Sequence, residues 1–265
     1  MEIAQLISAY NNLGIAGVID HEKFNLISID HHSTRIEGST LTLVETEVLI
    51  NEGLTPKGKP LEHSLMVTDH HKALQYILQA AENESGVSVE FIQKINSLVL
   101  KNTGSVYETV FGKIDSSTGV FRKGNVVAGA SYFPNYDKVE RLTRELAVAL
   151  TATMKKPLTQ KEQLDLSFDA HFNLVSIHPF YDGNGRTSRL LMNFIQAAYD
   201  LPLAIVYSET KADYIQALLD TREKNDIDVF RNFMYGEYRR MLEEEIRKFE
   251  EMNKPQRGRG FTLLF

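Results

Sequence analysis

The chain has 265 residues, of which 43% are hydrophobic, so it contains enough apolar side chain for a well-packed domain. The absence of cysteine excludes disulfides, thiolate metal sites and a cysteine nucleophile, and makes a reducing cytoplasm the expected compartment. A formal net charge of −6 argues against broad electrostatic binding to nucleic acid or to an anionic membrane, and no window approaches the roughly 20 apolar residues of a membrane span. We therefore expect a soluble protein that binds any anion in a local pocket.

The spacing of apolar residues predicts a mainly α-helical protein, because they recur every three or four positions over most of the chain. Near the N-terminus, Thr42 and Glu45 have the spacing of a capping box and predict a short helix. Further helices are predicted over about residues 62–82, 88–101, 160–175, 211–222 and 227–250, and around two apolar stripes: Val139, Leu142, Leu146 and Leu150, then Leu191, Phe194, Ile195 and Ala198. We divide the chain into an N-terminal segment (1–60), a core domain (61–250) and a C-terminal tail (251–265).

One segment departs from the helical pattern. In residues 115–134, two runs rich in β-branched residues flank Lys-Gly-Asn, and a proline closes the segment. This pattern predicts a β-hairpin with Lys-Gly-Asn as its turn. A single hairpin on a helical body is a candidate flap.

The densest group of polar residues is HPFYDGNGRTSRL, from His178 to Leu190. Glycine is unfavourable inside a helix, yet helical periodicity resumes directly after the glycines, so this segment is predicted to be a loop that opens a helix. The backbone N–H groups of such a turn point together, and the helix N-terminus adds partial positive charge, which suits the binding of phosphate. Arg186 and Arg189 lie three positions apart and so share one face of that helix. A triphosphate is the natural occupant.

Other side chains of this loop predict its chemistry. Asp182 would repel bound phosphate unless a cation lay between them, so it is a candidate Mg2+ ligand. His178 has a pKa suited to a general base near neutral pH. Phe180 is assigned to anchoring the loop against the core. Each residue alone more often has a structural role, but a purely structural loop needs no base, metal ligand and cations together. The group predicts nucleotide-dependent transfer to a hydroxyl.

The first twelve of these residues, His178 to Arg189, match the HPFx(D/E)GNGRxxR signature of Fic domains position for position, and the chain resembles that family over about residues 60–245. The resemblance implies a helical core with a β-hairpin beside the active loop. It also implies transfer of AMP from ATP to a Ser, Thr or Tyr hydroxyl of a protein target. A homodimer would be consistent with the family.

The resemblance also implies a role for each matching residue. His178 would deprotonate the target hydroxyl, and Asp182 would hold Mg2+ between the α- and β-phosphates. Gly183, Asn184 and Gly185 would form the anion hole. Arg186 would contact the β-phosphate and Arg189 the γ-phosphate. Tyr214 would lie near the nucleotide. The hairpin edge at Val126, Val127, Ala128 and Gly129 would pair with the extended backbone of a target; a hairpin that only covers the core is the alternative.

A second motif lies upstream. Residues 33–45, STRIEGSTLTLVE, resemble the (S/T)xxxE(G/N) inhibitory motif of some Fic proteins, with Ser33, Glu37 and Gly38 at its defined positions. A carboxylate at the end of a short helix terminated by Gly38 would be able to reach Arg189 and occupy the cation meant for the γ-phosphate. Similar glutamates also position water for removal of AMP in some relatives.

Two other interpretations of the function stay open at this point: a nucleotide sensor or interaction module without enzymatic activity, and a Fic-type transferase of another nucleotide or of a phosphoryl group. The histidine pairs His31–His32 and His70–His71, the latter preceded by Asp69, invite a metal-site interpretation. Adjacent residues on a helix point about 100° apart and rarely share one ion, so surface or packing roles are favoured for these histidines.

Overall fold

Ten α-helices account for most of the residues that the structure describes, which confirms the predicted mainly helical fold. The computed structural model describes residues 2–14, 21–109, 112–128 and 131–253. Its helices are α1 (Ile3–Asn12), α2 (His21–Ile36), α3 (Leu43–Glu52), α4 (Leu61–Glu82), α5 (Val89–Val99), α6 (Tyr136–Met154), α7 (Gln160–Ile177), α8 (Asn184–Ala198), α9 (Lys211–Lys224) and α10 (Ile227–Asn253). Within the described ranges, no helix is both long and apolar enough to cross a membrane.

The helix ends follow the capping chemistry of the sequence. The predicted capping box opens α3: the N–H of Glu45 donates to Oγ1 of Thr42 at 3.2 Å, and the N–H of Thr42 donates to Oε2 of Glu45 at 2.8 Å. Gly53 ends α3 in the left-handed region, with φ 70°. The helix before Glu37 was predicted to be short; this is wrong, because α2 has 16 residues.

Helix α8 lies at the centre of the fold. It packs against α7, α4 and α5, and its side chains are buried almost continuously from Arg186 to Gln196. Several of these side chains are polar, including Arg186 at 2% exposure and Arg189 at 3%. Buried charges require partners or ligands, so the position of α8 makes its N-terminal turn a site where an anion stabilises the fold.

Two short hairpins lie beside this core. Strand β1 (Val106–Thr109) pairs antiparallel with β2 (Gly112–Asp115), and β3 (Val127–Ala128) pairs antiparallel with β4 (Ser131–Tyr132). The first hairpin was not predicted. The second lies inside the predicted segment, but the predicted turn at Lys-Gly-Asn is wrong, because the run that precedes these residues forms no strand.

The run before Lys-Gly-Asn forms no strand because of the contacts of Arg122, which is 1% exposed. Its guanidinium donates to the carbonyl oxygens of Gly124, Pro134 and His178, and its backbone N–H donates to that of Pro179 at 3.0 Å. These contacts hold the segment as coil against the loop after α7, so its β propensity is overridden. Of the predicted flap edge, Gly129 lies outside the described residues, as does the tail beyond residue 253.

Candidate active site

The loop between α7 and α8 is bounded by two residues in the left-handed region. His178 caps α7 with φ 51° and ψ 60°, and its N–H donates to the carbonyl of Leu174 at 3.0 Å. Gly183 is the N-cap of α8, with φ 75°. A Cβ at Gly183 would also lie 2.9 Å from Nδ2 of Asn96, so both backbone conformation and packing require glycine there.

The amide of Asn184 closes this loop. Its Oδ1 accepts from the N–H of Phe180 at 3.0 Å, and its Nδ2 donates to the carbonyl of Phe180 at 2.9 Å. Phe180 is 1% exposed, and its ring lies 5.6 Å from that of Phe121, as expected of an anchor. The side chain of Asn184 is therefore structural, and the groups left for an anion are the first backbone N–H groups of α8, which have no intrahelical acceptor.

Glu37 and Arg189 are in contact although 152 residues separate them in sequence. Oε1 of Glu37 lies 2.7 Å from Nη2 of Arg189. Ser33, one helical turn earlier, accepts from Nε of Arg189 at its Oγ and from Nη2 at its carbonyl, both at 2.9 Å. Gly38 has φ 108°, so the chain turns away directly after Glu37.

The carboxylate of Glu37 lies against the glycine loop itself. A Cβ at Gly185 would be 2.5 Å from Oε1 of Glu37 and 3.1 Å from Nη1 of Arg189. Burial disfavours the ionised carboxylate, but the charges of Arg189 and Arg186 outweigh that penalty and lower the pKa of Glu37. An anionic group thus lies at the position where the sequence predicts phosphate.

Arg186, unlike Arg189, keeps buried donors without a hydrogen-bond partner among the described residues. Nη2 lies 3.5 Å from Oδ1 of Asp182, but Nε and Nη1 are buried and have no hydrogen-bond partner among the described residues. Buried donors without partners are rare and costly, so this guanidinium is suited to an anionic ligand.

Tyr214 lies beneath Arg189. Its hydroxyl is 3.5 Å from Nη1 of Arg189 and 3.0 Å from Nε2 of the buried His171. Burial holds the pKa of His171 well below its usual value, so the neutral ring accepts from the tyrosine hydroxyl, which in turn faces Arg189. Tyr214 therefore supports the guanidinium and also lines the cavity described next.

A cavity of 250 Å³ joins these groups. His178, Glu37, Gly185 and Arg189 line it, together with the basic residues Lys211 and Arg222. Burial lowers the pKa of His178 to about 4, so the near-neutral pKa predicted from the sequence is wrong. The imidazole is neutral at neutral pH and able to accept a proton. The ring of Phe133 stacks on it, with centroids 3.9 Å apart and 23° between the planes, which fixes its orientation.

Comparison with known proteins agrees with this geometry. Residues 86–196 match the Fic/DOC family. Over these residues the chain is similar to Fic domains. A Fic domain containing signaling protein from Bacteroides thetaiotaomicron has the same fold, with a TM-score of 0.80 and 24% identity over 94% of this chain and 98% of that one. Fic-1 (aa134–508) from C. elegans superposes with a TM-score of 0.75 at 22% identity, over 95% of this chain and 72% of that one.

The sequence is also similar to the protein adenylyltransferases Fic of Drosophila melanogaster and Drosophila sechellia, at 29% identity over 205 residues, or 77% of this chain. The match covers 39% of each of these proteins, so the chain spans about two fifths of their length. With the solved structures, this similarity confirms the predicted resemblance to Fic domains and the Fic fold.

Some residues of the Fic site could not be identified from the sequence. Lys211, Arg222 and Phe133 line the cavity but belong to no recognisable motif. Asn96, on α5, donates from Nδ2 to the carbonyl of Asp182 at 3.0 Å and to Oγ1 of Thr187 at 3.2 Å, and so ties the Fic loop to the core. Lys211 is the first residue of the helix predicted over 211–222, but that prediction did not place it near the site.

The histidine pairs form no metal site. No group of three or more His, Cys, Asp or Glu side chains is arranged to hold a metal ion in the part of the chain that the structure describes. His32 instead lies 3.1 Å from the hydroxyl of Ser208, and His70 and His71 both contact Asp30. These histidines therefore join separate elements of the Fic fold.

Proposed function

We propose that this protein is an autoinhibited protein adenylyltransferase that transfers AMP from ATP to a Ser, Thr or Tyr hydroxyl of a target protein. The observation that carries the proposal is the pair of buried arginines on α8. Arg189 is occupied by Glu37, whereas Arg186 has two buried donors without a partner in the described residues. Similarity to proteins named protein adenylyltransferase Fic supports the choice of AMP transfer.

The proposed reaction would use the site as follows. The triphosphate would lie along the N-terminus of α8, with its β-phosphate at Arg186 and its γ-phosphate at Arg189. The target hydroxyl oxygen attacks the α-phosphorus while its proton moves to Nε2 of His178. A new O–P bond forms, the bond to the β-phosphate oxygen breaks, and pyrophosphate leaves. Preorganised N–H groups and guanidiniums stabilise the charge that develops on the phosphates.

A magnesium ion fits this site with Asp182 as its protein ligand. Asp182 keeps 49% of its side chain exposed, and its Oδ1 accepts from the N–H of Gly183 at 2.6 Å, which leaves Oδ2 for an ion. One carboxylate would suffice to hold a magnesium ion whose other ligands are phosphate oxygens and water. The ion would neutralise charge on the phosphates.

Glu37 is the proposed inhibitor of this activity. Its carboxylate uses the guanidinium that the γ-phosphate needs, so ATP would bind with its tail displaced and its α-phosphorus out of line with the incoming hydroxyl. We also propose that the same carboxylate positions a water molecule for removal of AMP from modified targets, because it lies beside Gly185 of the Fic loop.

The flap would bind the target. Val127 and Tyr132 face each other across the β3–β4 pair and are 62% and 85% exposed. Exposed apolar side chains on a short strand pair suit contact with an extended peptide. Phe133 directly follows Tyr132 and stacks on His178, so a target bound here would be close to the base.

The test is transfer of labelled AMP to the protein itself and to candidate targets. We expect Glu37→Gly to raise incorporation by tenfold or more, consistent with about 1.4 kcal/mol per factor of ten for a released ion pair. His178→Ala should abolish incorporation in both backgrounds. Mass spectrometry of the product identifies AMP against another nucleotide or a phosphoryl group. Tight ATP binding by Glu37→Gly without any incorporation would instead favour a nonenzymatic sensor.

A further inference from the structure

The chain has a buried carboxylate that the proposed reaction does not use. Asp30 lies on α2, and its side chain is 0% exposed. Oδ1 is 2.6 Å from Nδ1 of His70, and Oδ2 is 2.6 Å from Nδ1 of His71. Both histidines lie on α4, so a single side chain connects the two helices through both of its oxygens. We call Asp30, His70 and His71 the Asp30 clamp.

The chemistry of this group is well defined. An ionised carboxylate only accepts hydrogen bonds, so each histidine must donate the proton on Nδ1. Burial lowers the pKa of His70 despite its contact with Asp30, so the ring donates as a neutral imidazole. Arg189 and Arg186 lie close enough to lower that pKa further.

The clamp and the inhibitory contact are on one face of α2. Asp30, Ser33 and Glu37 follow one another at helical spacing, and residues so spaced lie above one another along a helix. The Oγ1 of Thr34 donates to the carbonyl of Asp30 at 2.7 Å, which adds a local bond within the same turn. Asp30 is therefore the contact next to Ser33 along this face, and it fixes both the rotation of α2 and its position along α4.

The geometry points to Asp30 as a positioning residue: through His70 and His71 it holds α2 against α4 and thereby keeps Ser33 and Glu37 at Arg189. The expected change in AMP transfer rests on the proposed function, whereas the packing of α2 against α4 by the Asp30 clamp does not depend on it. Without the clamp, α2 would separate from α4 more often, and Glu37 would leave Arg189 free for the γ-phosphate.

The variants follow from the exposure of the three residues. Asp30→Leu removes both acceptors but leaves the wholly buried His70 without a partner, so it carries the larger risk to folding. His71 is 17% exposed, and it offers a matched pair. His71→Leu removes the donor, whereas His71→Asn keeps an N–H at nearly the same place as Nδ1.

Hydrogen exchange gives a readout that does not depend on catalysis. We expect Asp30→Leu and His71→Leu to speed amide exchange in residues 27–36 by tenfold or more, while exchange in residues 188–196 of α8 stays within twofold and His71→Asn behaves as wild type. Unchanged exchange in α2 overturns the clamp, as does an equal increase in α2 and α8, which would show general destabilisation. Should Asp30→Leu not fold, the His71 pair decides.

Transfer of labelled AMP then tests whether the clamp acts through Glu37. In the wild-type background, His71→Leu should raise incorporation by about tenfold, the effect of about 1.4 kcal/mol. In the Glu37→Gly background the same change should add nothing, because the contact that it releases is already gone. A gain that persists without Glu37 overturns the positioning role. Faster exchange in α2 with no incorporation by any variant supports the clamp and refutes the proposed transferase instead.

Discussion

The contact between Glu37 and Arg189 predicts that Glu37→Gln lowers the stability of the free protein and raises its affinity for ATP. The change keeps the shape of the side chain and removes its charge. Oε1 lies 2.7 Å from Nη2, and the side chains are 28% and 4% exposed. A pair of unit charges about 4 Å apart at an effective dielectric constant near 20 interacts by about 4 kcal/mol before desolvation. Because Glu37 keeps contact with solvent, we take about 1.5 to 3 kcal/mol as the net value of this charged hydrogen bond.

Loss of the charge should destabilise the free protein and strengthen its binding of ATP. The free energy of unfolding should fall by about 1.5 to 3 kcal/mol, because a buried guanidinium loses its anionic partner. The dissociation constant of Mg-ATP should fall about tenfold to a hundredfold, since each 1.4 kcal/mol is a factor of ten. AMP has no γ-phosphate and should change by less than about twofold.

Calorimetric titration of ATP and AMP, with His178→Ala in both proteins to prevent turnover, measures the affinities. Denaturant unfolding measures stability. The control is Glu108→Gln, which removes an ion pair with Lys113 at 3.0 Å whose side chains are 73% and 74% exposed, and should alter stability by less than about 1 kcal/mol. An equal gain in affinity for ATP and AMP would refute the argument that Glu37 competes with the terminal phosphate.

The remaining predictions concern His178, His32 and Arg186. Burial lowers the pKa of His178 to about 4, so kcat/KM of the activated Glu37→Gly form, measured with a target protein, should stay level down to about pH 5 and fall only below it. A midpoint at or above pH 6.5 would contradict this. Burial also lowers the pKa of His32 to about 4, so between pH 6.5 and 4 the folded protein binds fewer protons than the unfolded chain. The free energy of unfolding should therefore fall as the pH drops from 6.5 towards 4. Denaturant titrations at several pH values would measure this. Arg186→Met should abolish ATP binding yet leave the melting temperature of the free protein unchanged or higher, because it removes buried donors without partners; a large drop in melting temperature would contradict this.

Most of the helical fold was readable from the sequence because its signals are local. Apolar periodicity and a capping box depend on neighbouring residues, and the predicted limits of the helix from 160 fall within two residues of α7. The hairpin failed for the opposite reason. Its turn was placed at Lys-Gly-Asn, whereas Arg122 donates to the carbonyl of Gly124 in that segment. The same guanidinium also donates to the carbonyls of Pro134 and His178, contacts that no local pattern encodes.

The site divides in the same way. His178, Asp182 and the two arginines lie within one short segment, so their combination was visible as a motif. Glu37 comes from 152 residues away and was predicted to reach Arg189 only because its motif resembles one in Fic proteins. Asp30 was missed altogether. Nothing in the sequence joins it to His70 and His71, because the contact exists only once α2 has packed on α4.

On the proposed mechanism, the buried arginines also explain why release of inhibition should come from α2 rather than from the nucleotide. Glu37 is tethered in the site, so its effective concentration at Arg189 is set by the chain and by the Asp30 clamp, not by any solute. ATP that is bound at Arg186 and at the loop N–H groups still has to displace Glu37 from Arg189 with its γ-phosphate. Once those subsites are saturated, more ATP does not change this competition for Arg189. A signal that weakens the packing of α2 on α4 lowers the local concentration of Glu37 directly. The free protein loses stability in the same step, so the activated state should be the less stable one until nucleotide replaces the missing charge.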